Sequence, residues 1–162
     1  MPATSLDTFA NTNPAFCSLI LRAFVEGYVQ SDAEGVPLAH VVLPLPIVLS
    51  AEITTTFAGT NVNTGLLTWV SRHPHVTIGL RDRVSSSATF SREALLFGLT
   101  QRVLNINDRG FIVLEDAGLK KKVRFPTAED RGRAVSLARQ FGTWIADVRS
   151  TETVYACLGL NR

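Results

Sequence analysis

Residues 90–114 read FSREALLFGLTQRVLNINDRGFIVL, and this stretch decides the fold. Phe90-Ser91 reads as the residue before a helix cap followed by the cap, leading into a helix from Arg92 to Arg102. Its apolar residues fall at 94, 95, 96, 97 and 99, almost all round the helix, so most of it must be buried. Val103 to Ile106 and Phe111 to Leu114 flank Asn107-Asp-Arg-Gly110, a turn rich in residues that tolerate positive φ, which predicts a β-hairpin. Upstream, Asn63 is placed to cap a helix from Thr64 to Arg72 that buries Leu66, Leu67 and Val70. Pro74 restarts the chain as the first turn of another helix, with Val76, Leu80 and Val84 on one face, which three serines end near Ser86.

Three consecutive helices followed by a hairpin make the element order of a winged helix-turn-helix, here a unit over 64–115. On the N-terminal side, residues 1–12 read as a flexible polar leader. Asn13-Pro14 then supplies an N-cap and a first-turn proline for a helix to about Gln30, whose Phe16, Leu19, Ile20, Ala23, Phe24 and Tyr28 recur at three- and four-residue intervals. His40-Val-Val-Leu-Pro-Leu-Pro-Ile-Val-Leu49 is apolar on consecutive positions. Its prolines bar a long helix or a central strand through 44–46, so a short strand or extended segment is expected at about 39–43. Ser50 caps a weak helix over 51–57. On the C-terminal side, Thr127 caps a helix from Ala128 to Asp147, and Ser150 caps one from Thr151 to Leu158 that Gly159 can end; the two make a helical pair over 128–158. The expected fold class is α+β, mainly helical, with the winged-helix-like unit packed between N- and C-terminal helices in a single domain of 162 residues.

Composition agrees with a chain that closes its own core: 46% of the residues are hydrophobic and 19% charged. The formal net charge of +2 hides a split. Residues 1–71 hold one basic side chain, Arg22, against five acidic ones, whereas residues 72–124 hold ten basic against five acidic. Such an asymmetry allows an acidic partner, nucleic acid or protein, on the middle segment. The start of the sequence lacks the basic and apolar stretches of a signal peptide, and no run approaches the ~18 apolar residues of a membrane span, so a cytoplasmic location and no membrane partner are expected.

No catalytic motif is present: neither GxxxxGK[ST] nor GxGxxG, GxSxG or HExxH occurs, so no catalytic, cofactor or metal site is expected. Cys17 and Cys157 are isolated and read as small buried hydrophobes. His73 and His75 flank Pro74 and are poor joint ligands at that spacing. The candidates are therefore contact residues. In a winged helix the third helix enters the major groove and the wing touches the backbone, which nominates Arg92, Arg102 and Arg109. The basic run Lys120, Lys121, Lys122 and Arg124 suits phosphate contact without base readout, or an acidic protein surface. The Leu43, Leu45, Ile47 and Leu49 segment is either a core-crossing stretch or a subunit interface buried only in a complex.

Four blocks carry a family resemblance. Asn13-Pro-Ala-Phe-Cys17 with Leu21-Arg22 and Glu26-Gly-Tyr28, the Leu43-Pro-Leu-Pro-Ile-Val-Leu49 segment, Arg92-Glu-Ala-Leu-Leu-Phe-Gly-Leu99, and Thr153-Val-Tyr-Ala-Cys-Leu-Gly159 together resemble the middle component of bacterial three-component ABC systems, the small accessory subunit of Lamassu-type anti-phage and anti-plasmid defence operons. Ser50 stands where that family often has His. The resemblance implies a non-enzymatic subunit without a cofactor. Its implied partners are an SMC- or Rad50-like ABC ATPase and an effector nuclease that it helps hold inactive and releases when foreign DNA is sensed; direct contact with the DNA backbone is an expectation from the basic run alone. The alternative expectation is a winged-helix DNA-binding regulator.

Overall fold

The computed structural model describes residues 13–118 and 130–161. It is mainly helical with one small antiparallel sheet. Helix α1 runs Pro14–Ser31, a 3-10 turn spans Leu38–His40, α2 is Pro44–Val48, and α3 is Ala51–Thr54 with a 3-10 extension Thr55–Phe57. Helix α4 is Leu66–Arg72, a 3-10 turn spans Pro74–Thr77, and α5 is Leu80–Thr100. The hairpin β1 Leu104–Ile106 and β2 Ile112–Leu114 follows, then α6 Asp130–Val148 and α7 Thr151–Cys157.

The two central helices, α1 and α6, pack together because two glycines remove the side chains between them. A Cβ at Gly27 would collide with the Arg139 carbonyl of α6, and one at Gly142 with the Phe24 carbonyl of α1. Thr143 Oγ1 donates to the Gly27 carbonyl across this contact at 2.9 Å. Beside it lies an aromatic cluster: Phe57 stacks on Trp144 with ring centroids 5.2 Å apart, and Trp69 sits 5.0 Å from Phe57 and 5.6 Å from Trp144. Both indole N–H groups are satisfied, Trp69 donating to Thr56 Oγ1 and Trp144 to the Asn61 carbonyl, as buried tryptophans require.

Local caps follow their residues. Asn13 Oδ1 accepts from the Phe16 N–H, Ser50 Oγ from Ile53, and Ser150 Oγ from Thr153, each at 3.2 Å. The hairpin pairs Leu104 with Leu114 and Ile106 with Ile112, and Gly110 closes its turn at φ 84°. On the far side of β2, Val36 and Ile112 exchange both backbone hydrogen bonds at 2.8 Å.

Several sequence expectations are corrected. The serines near 86 do not end a helix: α5 is continuous over 21 residues. Ser86 and Ser87 donate their hydroxyls to the Arg83 and Val84 carbonyls of the preceding turn, which satisfies them without breaking the ladder. The second and third of the three helices expected before the hairpin are thus one, and the unit over 64–115 does not have a separate recognition helix. The 39–43 segment is not extended but starts as a 3-10 turn, and Pro44 and Pro46 sit inside the first turn of α2, where a missing N–H is tolerated. Gly65 at φ 81°, not Asn63, precedes α4; that helix buries Leu66 and Trp69, while Leu67 is 57% exposed. The Thr127 cap lies outside the described residues.

Candidate functional site

Helices α1, α2 and α5 meet at a cleft of about 160 Å³ lined by Cys17, Leu45, Pro46, Leu49, Ser50, Arg83, Ser86, Ser87 and Phe90. Arg83 spans its mouth, donating from Nη1 to Ser50 Oγ at 3.1 Å and pairing through Nη2 with Glu52 at 3.3 Å. The cleft is well below the ~300 Å³ of small-molecule sites. Cys17 in its wall is not an activated nucleophile. Burial, reinforced by the Glu93 charge, pushes its thiol up to about 11, so it stays protonated at neutral pH, the opposite of what thiol catalysis needs. Cys157, raised by burial as well, lies in α7.

The remaining titratable groups make no cluster of chemistry. Among the described residues no group of three His, Cys, Asp or Glu side chains is placed to hold a metal ion. His40 is 2% exposed beneath the Tyr28 ring, 5.9 Å away, and neither ring nitrogen has a hydrogen-bond partner among the described residues. Burial lowers it to about 4, so it is neutral at physiological pH. The neighbouring Ala39 carbonyl accepts from the Tyr155 hydroxyl of α7.

The structure separates the basic candidates. Arg92 is exposed on α5. Arg102 is exposed just past the end of that helix, at φ 60°. Arg109 occupies the hairpin turn, where it pairs with Glu34 at 2.6 Å and lies 5.9 Å from the Phe111 ring centroid, so its charge is already met within the chain. Lys120, Lys121, Lys122 and Arg124 lie outside the described residues. Leu43, Leu45, Ile47 and Leu49 are buried at 0%, 2%, 0% and 9% exposure. The chain's own core covers them, so the expectation that they are buried only in a complex is corrected: the segment is a core-crossing stretch.

One residue that sequence reasoning did not nominate has a structural role of its own. Arg22 holds the hairpin against α1. Its Nη1 donates to the Val103 and Glu115 carbonyls at 2.6 and 2.8 Å, and its Nη2 pairs with Asp116 at 2.6 Å. Its side chain is only 12% exposed. The available signal was its isolation as the one cation in the first 71 residues, set in the apolar run of α1.

Sequence comparison adds a finding. The family model described as ABC-three component (ABC-3C) system Middle Component 3 matches residues 7–162. No curated protein and no solved structure matches the chain.

Proposed function

Because the chain belongs to the Middle Component 3 family of ABC-three component systems, we propose that it is the non-enzymatic regulatory subunit of a cytoplasmic, Lamassu-like defence complex. In this reading it binds an SMC- or Rad50-like ABC ATPase and helps restrain an effector nuclease. Family membership itself makes the chain an accessory component with protein partners. The observation that carries the proposal is the span of the match, which takes in both central helices, the hairpin and the C-terminal pair.

DNA, in this reading, is met through its backbone, and the cations assigned to it are Lys120, Lys121, Lys122 and Arg124, with Arg102 at the end of α5. The alternative of a winged-helix DNA-binding regulator loses its main support with the recognition helix absorbed into the C-terminal half of α5. The test is co-expression with the ATPase encoded beside it, followed by size-exclusion chromatography. Co-elution in a stable complex is expected; separate elution of two folded proteins overturns the proposal.

A further inference from the structure

Between α4 and α5 the backbone brings together two imidazoles that a regular helix would hold apart. Side chains at i and i+2 of an α-helix stand about 200° apart round the axis. Helix α4 ends at Arg72, however, and His73 leaves the helical region at φ −132° and ψ 63°, so that Pro74 opens the 3-10 turn Pro74–Thr77. The His73 and His75 ring centroids are then 5.8 Å apart, with the ring planes at 85°. His73 is half-buried and His75 exposed. Neither imidazole makes a hydrogen bond or an ion pair within the chain among the described residues, so their nitrogens are open to a ligand.

The backbone that carries the two rings is held on both sides. The His73 N–H donates to the Trp69 carbonyl at 3.0 Å, and the Val76 N–H to the His73 carbonyl at 3.0 Å. The His75 carbonyl accepts from the Ile78 N–H at 3.1 Å, and Thr77 Oγ1 donates to the Pro74 carbonyl at 2.9 Å. Trp69 and Val76, at 0% and 3% exposure, anchor this turn in the core.

We infer that His73 and His75 together bind a divalent cation of the zinc, nickel and copper group, with water in the remaining coordination positions. A metal about 2.1 Å from an imidazole nitrogen, in the ring plane, lies about 3.3 Å from the ring centroid. Two rings that share it at an angle of about 110–125° therefore have centroids about 5.3–5.8 Å apart. The separation in this chain falls at the upper end of that range. Rotation about χ1 and χ2 can aim one nitrogen of each ring at a common point while the pinned backbone stays where it is. Imidazole nitrogen selects this group of metals over magnesium and calcium, which take oxygen ligands. Among the described residues no third His, Cys, Asp or Glu completes the set, so the affinity is that of a two-ligand site, well short of a four-ligand structural zinc centre. The expectation that the pair is unsuited to joint ligation rested on spacing, and the turn at Pro74 revises it.

Zinc itself is the probe, on the full chain carrying no affinity tag and stripped of metal by a chelator. Calorimetric titration should give one site with a Kd of about 10–100 µM, and magnesium should not bind. His73→Asn and His75→Asn should each weaken zinc binding at least about tenfold. In a parallel NMR titration the ring signals of His73 and His75 should shift together at the same zinc concentration, while those of the buried His40 stay in place. Circular dichroism checks the fold of both variants; His75 is exposed, so His75→Asn decides the matter even where His73→Asn unfolds. A wild-type Kd above about 1 mM overturns the inference. Undiminished zinc binding by a folded His75→Asn chain does so too, since the metal then sits on other groups, as does a shift confined to one of the two rings.

Discussion

His40 ties the stability of the chain to pH. The ring is buried, sits under Tyr28, and has no hydrogen-bond partner for either nitrogen among the described residues. Burial alone holds its folded pKa at about 4, against 6.5 for an ordinary histidine. Because the folded value is the lower one, the unfolded chain takes up the proton first as pH falls, and stability drains away from about pH 6.5 down to about pH 4. The full loss is about 3 kcal/mol at ~1.36 kcal/mol per pKa unit, and about 2 kcal/mol of it is gone by about pH 5. Against a total of ~5–15 kcal/mol this is a large fraction. Replacing His40 with Leu removes both the titration and two buried polar atoms, so the variant should be at least as stable as wild type near neutrality. Urea unfolding of both proteins at about pH 7.5 and about pH 5, followed by tryptophan fluorescence from the Trp69 and Trp144 cluster, isolates the His40 contribution from that of the carboxylates, which the two proteins share. The wild type should lose about 2 kcal/mol more than the variant over that interval. Equal losses in the two proteins would refute the reasoning, as would an imidazole titration by NMR with its midpoint near 6.5 in the folded state.

Arg22→Met should cost about 2–3 kcal/mol, because it strips a charged donor from the Val103 and Glu115 carbonyls; hydrogen exchange should quicken in the hairpin amides first, and Arg22→Lys should not rescue it. Gly27→Ala or Gly142→Ala should destabilise by about 1–3 kcal/mol despite the better helix propensity of alanine, since the new Cβ meets backbone rather than a side chain that can move; for a chain of this size the thermal midpoint should fall by about 2–4 °C per kcal/mol. Ser50→Ala should lower stability by about 1 kcal/mol through the lost α3 cap, with Arg83 freed from one of its two partners, readable as a shifted urea midpoint. Changing Lys120, Lys121 and Lys122 to Glu should weaken DNA retention by the assembled complex and leave the circular dichroism of the chain unchanged; unaltered retention would make the run a solvated loop.

The caps and the hairpin were legible because their signals are local. Asn13, Ser50 and Ser150 each bind a backbone N–H three residues away, and Asn107 to Gly110 contains the conformational freedom its turn needs. Where local signals failed, tertiary context had overruled them. Ser85-Ser-Ser87 reads as a helix end by propensity, yet one face of that helix is pinned to the core by Leu80, Ser91, Ala94 and Leu95, and the serines bond back to the previous turn instead of leaving it. Leu43 to Leu49 was legible as apolar but not as self-covered, since what covers it comes largely from α1, α5 and α6, far away in sequence.

The charge split shows the same interplay of sequence and fold at the level of the whole surface. An acidic first segment and a basic middle suggest two outward-facing poles. In the folded chain three carboxylates of the first segment are met from within: Glu26 by Arg139, Glu34 by Arg109 and Glu52 by Arg83, while Arg22 crosses the other way to Asp116. Each link joins elements distant in sequence. At these exposed distances each pair is worth at most about 1 kcal/mol, so their main effect is on which charges stay available rather than on stability. Among the described residues, the arginines of the middle segment left without a partner are Arg72, Arg81, Arg92 and Arg102. Arg81 and Arg92 lie on α5, and Arg102 follows its last turn. Of the described arginines that the middle segment can offer to another molecule, three of the four thus lie on or just after one helix.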